Sequence, residues 1–209
     1  MPGRWRLALA LLVLAALVRS GIAPYDRVTW LLEVAPVLIA APVLLATRRR
    51  FPLTGLLYAL ICAHALVLIL GGAYTYARVP LGFWIRDLFG FDRNPYDKIG
   101  HYMQGFVPAL AAREILLRRR YLSSRPMTGF LSACVALAFS AVYELVEWWS
   151  ALLLGQGADE FLGTQGDPWD TQSDMFLALI GATLAVSALA RPHDRQIRGL
   201  EPPPAAHGR

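Results

Sequence analysis

Residues 53–73 read LTGLLYALICAHALVLILGGA, and they decide the fold class because they contain no Asp, Glu, Lys or Arg. About 20 apolar residues in a helix cross the hydrocarbon core of a bilayer, so this stretch predicts a transmembrane helix. It lacks the alternation of a barrel strand, and a helix satisfies its own backbone in lipid. Similar stretches lie on both sides of it: Trp5–Ala23, Trp30–Ala46, Ile99–Leu117, Met127–Trp149 and Ser173–Ala190. The sequence therefore predicts an all-α integral membrane bundle of about six transmembrane helices.

The composition agrees with a membrane protein. Hydrophobic residues make up 56% of the 209 positions and charged residues 17%, against roughly 45–50% and 25% in soluble domains. The apolar content excludes a disordered chain, and two cysteines are too few for a disulfide-stapled secreted domain. The net charge of +5 does not indicate a nucleic-acid partner, because basic residues also collect on the cytoplasmic side of membrane proteins. The partner that we expect is the lipid bilayer.

The distribution of basic residues predicts the orientation in the membrane. Fourteen Lys and Arg residues fall on the side of the two chain ends, and six fall on the other side. The positive-inside rule then places both termini in the cytoplasm. The first stretch has the layout of a signal peptide, with Arg4 and Arg6 before a short apolar run. Arg19 follows that run directly, which favours a retained helix.

The chain is predicted to form one transmembrane domain over residues 1–190. Residues 191–209 are expected to be a disordered cytoplasmic tail. The third loop faces outward in this topology. Its apolar residues between Leu81 and Leu88 recur at helical spacing, which predicts a short amphipathic helix in the outer interface.

Ionisable and amide side chains gather at one predicted depth on the outer side. At the ends of the fourth, fifth and sixth stretches stand Asp97, His101, Gln104, Glu144, Glu147, Asp170 and Asp174. Four further candidate site residues are Glu33 one turn below the surface, Gln165 and Asp167 in the last outer loop, and His64 deeper in the third stretch. An acidic side chain inside a membrane costs roughly 2.5–3.5 kcal/mol on insertion scales, so these residues predict a functional site.

Carboxylates this close repel one another unless they are protonated, paired with a cation or bound to a metal ion. One imidazole with several carboxylates suits a divalent ion such as Zn²⁺, Mn²⁺ or Mg²⁺. The predicted metal ligands are His101, Glu144, Glu147, Asp170 and Asp174. The same residues suit general acid–base catalysis, with His101 as the base that Asp97 orients and with Glu144 and Glu147 beside it.

A structural interpretation of the same residues stays open. Asp97 and Asp170 fit the positions of helix caps. Glu144 and Glu147 could instead form ion pairs with Lys98 or Arg93 across the bundle.

Four stretches carry a resemblance to a known family. They are Gly71–Ala77 with Val79–Pro80, Tyr96–His101, Tyr143–Trp148 and Gly163–Met175. In these stretches the chain resembles the YjdF-type bacterial inner-membrane proteins, a multi-pass family of unknown function. The resemblance covers most of the chain and implies a location in the bacterial inner membrane, but it implies no activity.

A fainter resemblance to the VanZ-like membrane proteins rests on fewer positions. They are Asp97-Lys98-x-x-His101, Glu144, and Asp170-x-x-x-Asp174 followed by Gly181. Glu147 and Ala178 depart from that pattern, which has Gln and Asn there. The resemblance implies that the outer polar residues act as one unit.

Three classes of function are compatible with such a site. The first is a metal-assisted hydrolase or transferase that acts on a lipid or envelope substrate. The second is a small transporter or permeation protein whose acids bind a cation or relay protons. The third is a structural or sensory membrane subunit. The predicted acids stop about one turn below the outer surface, which favours the enzyme over a pathway through the membrane.

Overall fold

The computed structural model describes residues 2–154, 162 and 164–200, and every regular element in these ranges is helical. The elements are α1 Pro2–Ile22, α2 Arg27–Thr47, α3 Gly55–Tyr74, a 3₁₀ turn Tyr76–Arg78, α4 Pro80–Phe89, α5 Tyr96–Arg118, α6 Arg125–Leu154, α7 Asp170–Ala188 and α8 Ala190–Leu200. The predicted all-α architecture is confirmed. The short helix expected between residues 81 and 88 is α4, and its Trp84 and Leu88 side chains are exposed.

Five of these helices are long and apolar enough to cross a membrane: α1, α2, α3, α6 and α7. The sixth expected span, α5, has 23 residues and extends over about 34 Å at 1.5 Å per residue. It is not among the five because its charged residues lower its hydropathy. It packs along α3, α6 and α7, and its Asp97, Arg113 and Glu114 side chains are buried. The least apolar of the expected spans is thus the one that other helices surround.

The first and last described helices meet at one end of the bundle. Trp5 of α1 packs against Gly55 at the start of α3, and Gln196 of α8 accepts a hydrogen bond from the Leu56 amide at 2.8 Å. We call this the tail end. At the opposite end, Trp30 of α2 donates a hydrogen bond to Ser20 of α1 at 2.9 Å. Six crossings of the membrane would return the chain to the end at which it starts, and Trp5 and Gln196 do lie at one end. The orientation of the bundle in the membrane stays a prediction.

The helices α5 and α7 approach each other closely because glycines face the contact. A Cβ atom on Gly181 would stand 2.2 Å from the Tyr102 carbonyl oxygen, and one on Gly105 would clash with the Ala178 carbonyl. Small residues let helix backbones approach in this way in membrane bundles. The contact aligns the start of α5 with the start of α7, where several of the predicted site residues lie.

The tail corrects one prediction. Residues 191–200, which were expected to be disordered, belong to the helix α8, and its His193 side chain is fully buried. His193 Nε2 lies 2.9 Å from the Glu114 carboxylate, and Arg113 donates to Asp194 at 2.7 Å. These charged partners inside α5 hold a segment whose polar composition indicated disorder. Residues 201–209 lie outside the described residues.

Candidate metal centre

The imidazole of His101 lies among acidic side chains of three helices. Its Nε2 atom is 3.4 Å from Asp97 Oδ1 and 3.8 Å from Asp174 Oδ2. Its Nδ1 atom is 3.6 Å from Glu144 Oε1 and 3.0 Å from Gln104 Oε1. All of these acidic side chains and the imidazole are buried. The structure brings together the predicted residues from the starts of α5 and α7. Those of α6 come from its second half rather than from its end, because α6 continues to Leu154.

Helical spacing explains why these side chains meet. Asp97 and His101 are one turn apart on the first turns of α5, so they share a face. Glu144 and Glu147 share a face of α6 in the same way, and Asp174 lies in the second turn of α7. We call these five residues, Asp97, His101, Glu144, Glu147 and Asp174, the His101 cluster.

The cluster contains two sets of potential ligands for one metal ion. One set is Asp97, His101 and Asp174, and the other is His101, Glu144 and Glu147. Within each set the nitrogen and oxygen atoms lie within 4.8 Å of one another. Carboxylate oxygen with imidazole nitrogen is a donor set that Zn²⁺, Mn²⁺ and Mg²⁺ accept, so the residues fit such an ion.

A buried atom without a hydrogen bond adds to this fit. In the part of the chain that the structure describes, Glu144 Oε1 is buried and no hydrogen bond reaches it. Buried carboxylate oxygens are nearly always hydrogen-bonded, paired or bound to a metal ion. Its Oε1 is 3.6 Å from the imidazole, which places it at the edge of the potential ligand sets.

Asp170 stands apart from both sets, although it was predicted as a ligand. Its carboxylate accepts hydrogen bonds at 2.8 Å from both Arg93 and Lys98, which neutralise it. Asp170 is the first residue of α7, and no side-chain bond caps the described start of that helix. Lys98 also binds Asp174 Oδ1 at 2.7 Å and Ser173 at 2.7 Å. The structural interpretation paired Glu144 and Glu147 with Lys98 or Arg93. That pairing is wrong, because Lys98 and Arg93 bind aspartates instead, Asp170 among them.

The outer loop residues Gln165 and Asp167 lie outside the cluster and hold the loop in place. Gln165 exchanges two hydrogen bonds with the Asn94 backbone, at 3.2 and 3.0 Å. Asp167 accepts a hydrogen bond from Arg93 at 2.6 Å. The Asn94 side chain in turn bonds to the Val79 carbonyl at 3.0 Å. These contacts fix the start of α5 and therefore the positions of Asp97 and His101.

Glu33 and Tyr143 extend the polar region toward α2. Tyr143 donates a hydrogen bond to Glu33 Oε2 at 3.0 Å, and its ring meets the His101 ring edge-on at 6.4 Å. Sequence reasoning placed Glu33 near the cluster but gave Tyr143 no role. The signal was present, since Tyr143 is four residues before Glu147 and so shares its helical face.

His64 lies deeper, 10 residues before the end of the 20-residue helix α3. Its ring Nε2 atom is buried, and within the described residues no hydrogen bond reaches it. It belongs to neither of the two ligand sets.

Comparisons with known proteins show which family the chain belongs to. Residues 5–195 match the family described as "Predicted membrane protein (DUF2238)". The chain is also 60% identical over 189 residues to the inner membrane protein YjdF of Escherichia coli (strain K12), which covers 90% of each chain. No solved structure shows a significant match.

Proposed function

The chain belongs to the DUF2238 family of predicted membrane proteins and is a multi-pass protein of the inner membrane, and we propose that its His101 cluster is a metal-dependent active site. The reaction that we propose is hydrolysis or group transfer on a lipid or cell-envelope substrate. The ion is Zn²⁺, Mn²⁺ or Mg²⁺.

One observation carries this proposal: four buried carboxylates from three helices surround one imidazole. Lys98 is a cation in contact with this group, through Asp174. Burying several like charges is costly unless a cation compensates them. A divalent ion would supply the missing charge, and ligands of this kind are rarely kept inside a membrane without a function.

The chemistry follows from the positions of the acids. A divalent ion held here would polarise a substrate oxygen and lower the pKa of a bound water molecule. Glu144 Oε1 is free of hydrogen bonds in the described part of the chain, so it is suited to accept a proton from that water. Exposed Trp148 and Trp169 flank the same end of the bundle, and such residues favour the membrane interface, where a lipid headgroup would reach the site.

The test uses wild type and His101→Asn in nanodiscs of bacterial lipid extract, because His101 belongs to both ligand sets. Elemental analysis should find a stoichiometric divalent metal in wild type and none in the variant. Mass spectrometry of the lipids should detect a product that needs both the metal and His101. Asp87→Asn is the matched control, since Asp87 is exposed on α4 and pairs with Arg86.

Two results would contradict the proposal in different places. Wild-type protein that contains no stoichiometric metal would contradict the proposed metal centre. If wild type holds stoichiometric metal but its lipids and envelope precursors are the same as those of the variant, the enzymatic role is contradicted and a metal-binding site is left.

A transporter for a cation or for protons is the second candidate. The observation that favours it is His64, whose buried Nε2 lies near the middle of α3, about 15 Å below the end of that helix. Uptake of Mn²⁺ into proteoliposomes, lost in His64→Leu and kept in Asp87→Asn, would favour transport over catalysis.

A further inference from the structure

Acids from the two ligand sets face different nitrogen atoms of the same ring. Nε2 faces Asp97 Oδ1 and Asp174 Oδ2, at 3.4 and 3.8 Å. Nδ1 faces Glu144 Oε1 at 3.6 Å. A neutral imidazole has one lone pair, so it binds a single ion through one nitrogen while the other carries the proton. The position of that proton therefore decides which acids are ligands.

Gln104 lies where it can fix the position of the proton. Its Oε1 atom is 3.0 Å from His101 Nδ1 and lies one turn along the same helix. A carbonyl oxygen only accepts, so the tautomer that makes this contact a hydrogen bond has its proton on Nδ1. Histidines that bind metals generally donate their second N–H to such an acceptor, which fixes the tautomer and the ring orientation. In that tautomer the lone pair is on Nε2, which faces Asp97 and Asp174.

The distances on the Nε2 side suit one ion. Two ligand atoms, each about 2.1 Å from an ion and about 110° apart, are separated by about 3.4 Å. The separation of Nε2 from Asp97 Oδ1 is 3.4 Å, and that from Asp174 Oδ2 is 3.8 Å. Lys98 holds the other oxygen of Asp174 at 2.7 Å, so the carboxylate is oriented with Oδ2 toward the ring.

The opposite side of the ring suits a different task. Glu144 Oε1 lies beside the protonated nitrogen and is buried without a hydrogen bond in the described residues. Glu147 is buried one turn further along α6. The contact of Glu144 with the ring is thus with Nδ1 and not with Nε2.

We propose that the ion binds to His101 Nε2, Asp97 and Asp174, and that Gln104 is the positioning residue that selects this side. Glu144 and Glu147 are then proton acceptors rather than ligands. The inference rests on the proposed metal centre and divides its acids into two roles.

The first experiment follows the ring nitrogens of the wild-type protein directly. Wild-type protein with ¹⁵N-labelled histidine rings is titrated with Zn²⁺ alone in nanodiscs and followed by NMR. The His101 signals are the pair that is missing in His101→Asn. Zinc should shift the Nε2 resonance to the metal-bound range, while Nδ1 keeps its proton. Zinc on Nδ1 would overturn the inference.

The second experiment compares two pairs of isosteric variants by zinc titration. Asp97→Asn and Asp174→Asn should weaken zinc binding at least about 100-fold, whereas Glu144→Gln and Glu147→Gln should change it less than about 3-fold. Each variant must elute as wild type in size-exclusion chromatography, with Asp87→Asn as the control. Loss of zinc in the Glu variants, alone or together with the Asp variants, would overturn the division of roles and leave the metal centre itself intact. Wild type that binds no zinc would overturn both proposals.

Gln104 is tested by its effect on the ring rather than on activity. Gln104→Leu removes the acceptor and should weaken zinc binding about 10–100-fold, as loss of the residue that orients a ligand does. Gln104→Glu retains an acceptor at the same place and should restore the Nδ1–H signal and most of the affinity. Equal affinities in wild type and Gln104→Leu would show that Gln104 does not select the side.

Discussion

A Cβ atom placed on Gly105 would stand 1.8 Å from the carbonyl oxygen of Ala178, so α5 and α7 touch through their backbones. This contact lies one turn below His101 and Asp174. It couples the packing of two helices to the distance between two predicted ligands.

Gly105→Val should therefore separate the helices and destabilise the protein. Overpacking of a tight contact costs roughly 1–3 kcal/mol, and here a backbone atom blocks the new side chain. The free energy of unfolding in SDS titration measures the cost, and zinc binding should fall with it. Gly129→Val on α6 is the control, because nothing lies within 4 Å of a Cβ there. Equal losses in both variants would contradict the close contact.

Glu114 gives a second prediction. Its fully buried carboxylate accepts hydrogen bonds from the Thr54 amide at 3.0 Å and from Arg118 at 2.8 Å, and it lies 2.9 Å from His193 Nε2. Glu114→Leu leaves buried donors without a partner, which should cost about 3–5 kcal/mol. Hydrogen exchange should show α8 losing protection before the rest of the bundle. Uniform loss of protection would argue against a specific role in holding α8.

Asp194 predicts a dependence of stability on pH. Burial raises the pKa of this carboxyl, but hydrogen bonds from Arg113 and Arg125 outweigh it and hold the pKa below its ordinary value of 3.8. A lowered pKa in the folded state stabilises the protein above the unfolded pKa, and this contribution disappears as the pH falls through the folded pKa. Asp194→Asn should cost roughly 1–2 kcal/mol at pH 7, since Arg125 is exposed.

The measurement is the difference in melting temperature between wild type and Asp194→Asn from pH 7 to pH 3. The difference should stay constant down to about pH 4 and shrink below it. A difference that grows on acidification would mean the opposite sign of the pKa shift.

Replacing Lys98 with an uncharged residue should increase the affinity for zinc. It binds Asp170 and Asp174 at 2.8 and 2.7 Å and repels any cation in the cluster. Lys98→Gln removes that repulsion and should tighten zinc binding at least about tenfold. Arg86→Gln, on the exposed face of α4, is the control in the same titration. Weaker binding in Lys98→Gln would show that its role in orienting Asp174 outweighs the repulsion.

The predicted orientation is open to a direct test. Green fluorescent protein fused after Arg209 should fluoresce, because the chain ends are expected in the cytoplasm. Alkaline phosphatase inserted after the exposed Asp92 should be active outside. The same enzyme inserted after Arg49, in the loop at the tail end, should be inactive. Reversed signals would place the His101 cluster on the cytoplasmic side.

The sequence predicted the cluster because helix order and arginine counts place helix ends on one side without any knowledge of packing. Asp97, His101, Glu144, Glu147 and Asp174 meet for that reason. The partners of individual charges were not predictable in this way. Asp170 forms ion pairs with Arg93 and Lys98 because of the fold of the loop before α7. The periodicity of apolar residues in the sequence does not predict the fold of a loop.

The prediction that residues 191–200 are disordered was wrong for a related reason. Residues 191–200 are polar, and a composition rule assigns them to solvent. Their burial depends on charges carried by another helix, in particular Arg113 and Glu114 of α5. A pattern confined to one segment contains no information about such a partner.

The charges of α5 also bear on how the chain enters the membrane during synthesis. When α5 emerges from the ribosome, α3 has been made but the helices that carry Asp174, His193 and Asp194 have not. The charged side chains of α5 therefore lack these partners at that stage. A charge opposes insertion of an isolated helix by about 2.5–3.5 kcal/mol at the helix centre, and by less toward the helix ends, where the charged residues of α5 lie. We therefore expect α5 to reach its final place in the bundle only after the helices that follow it have been made.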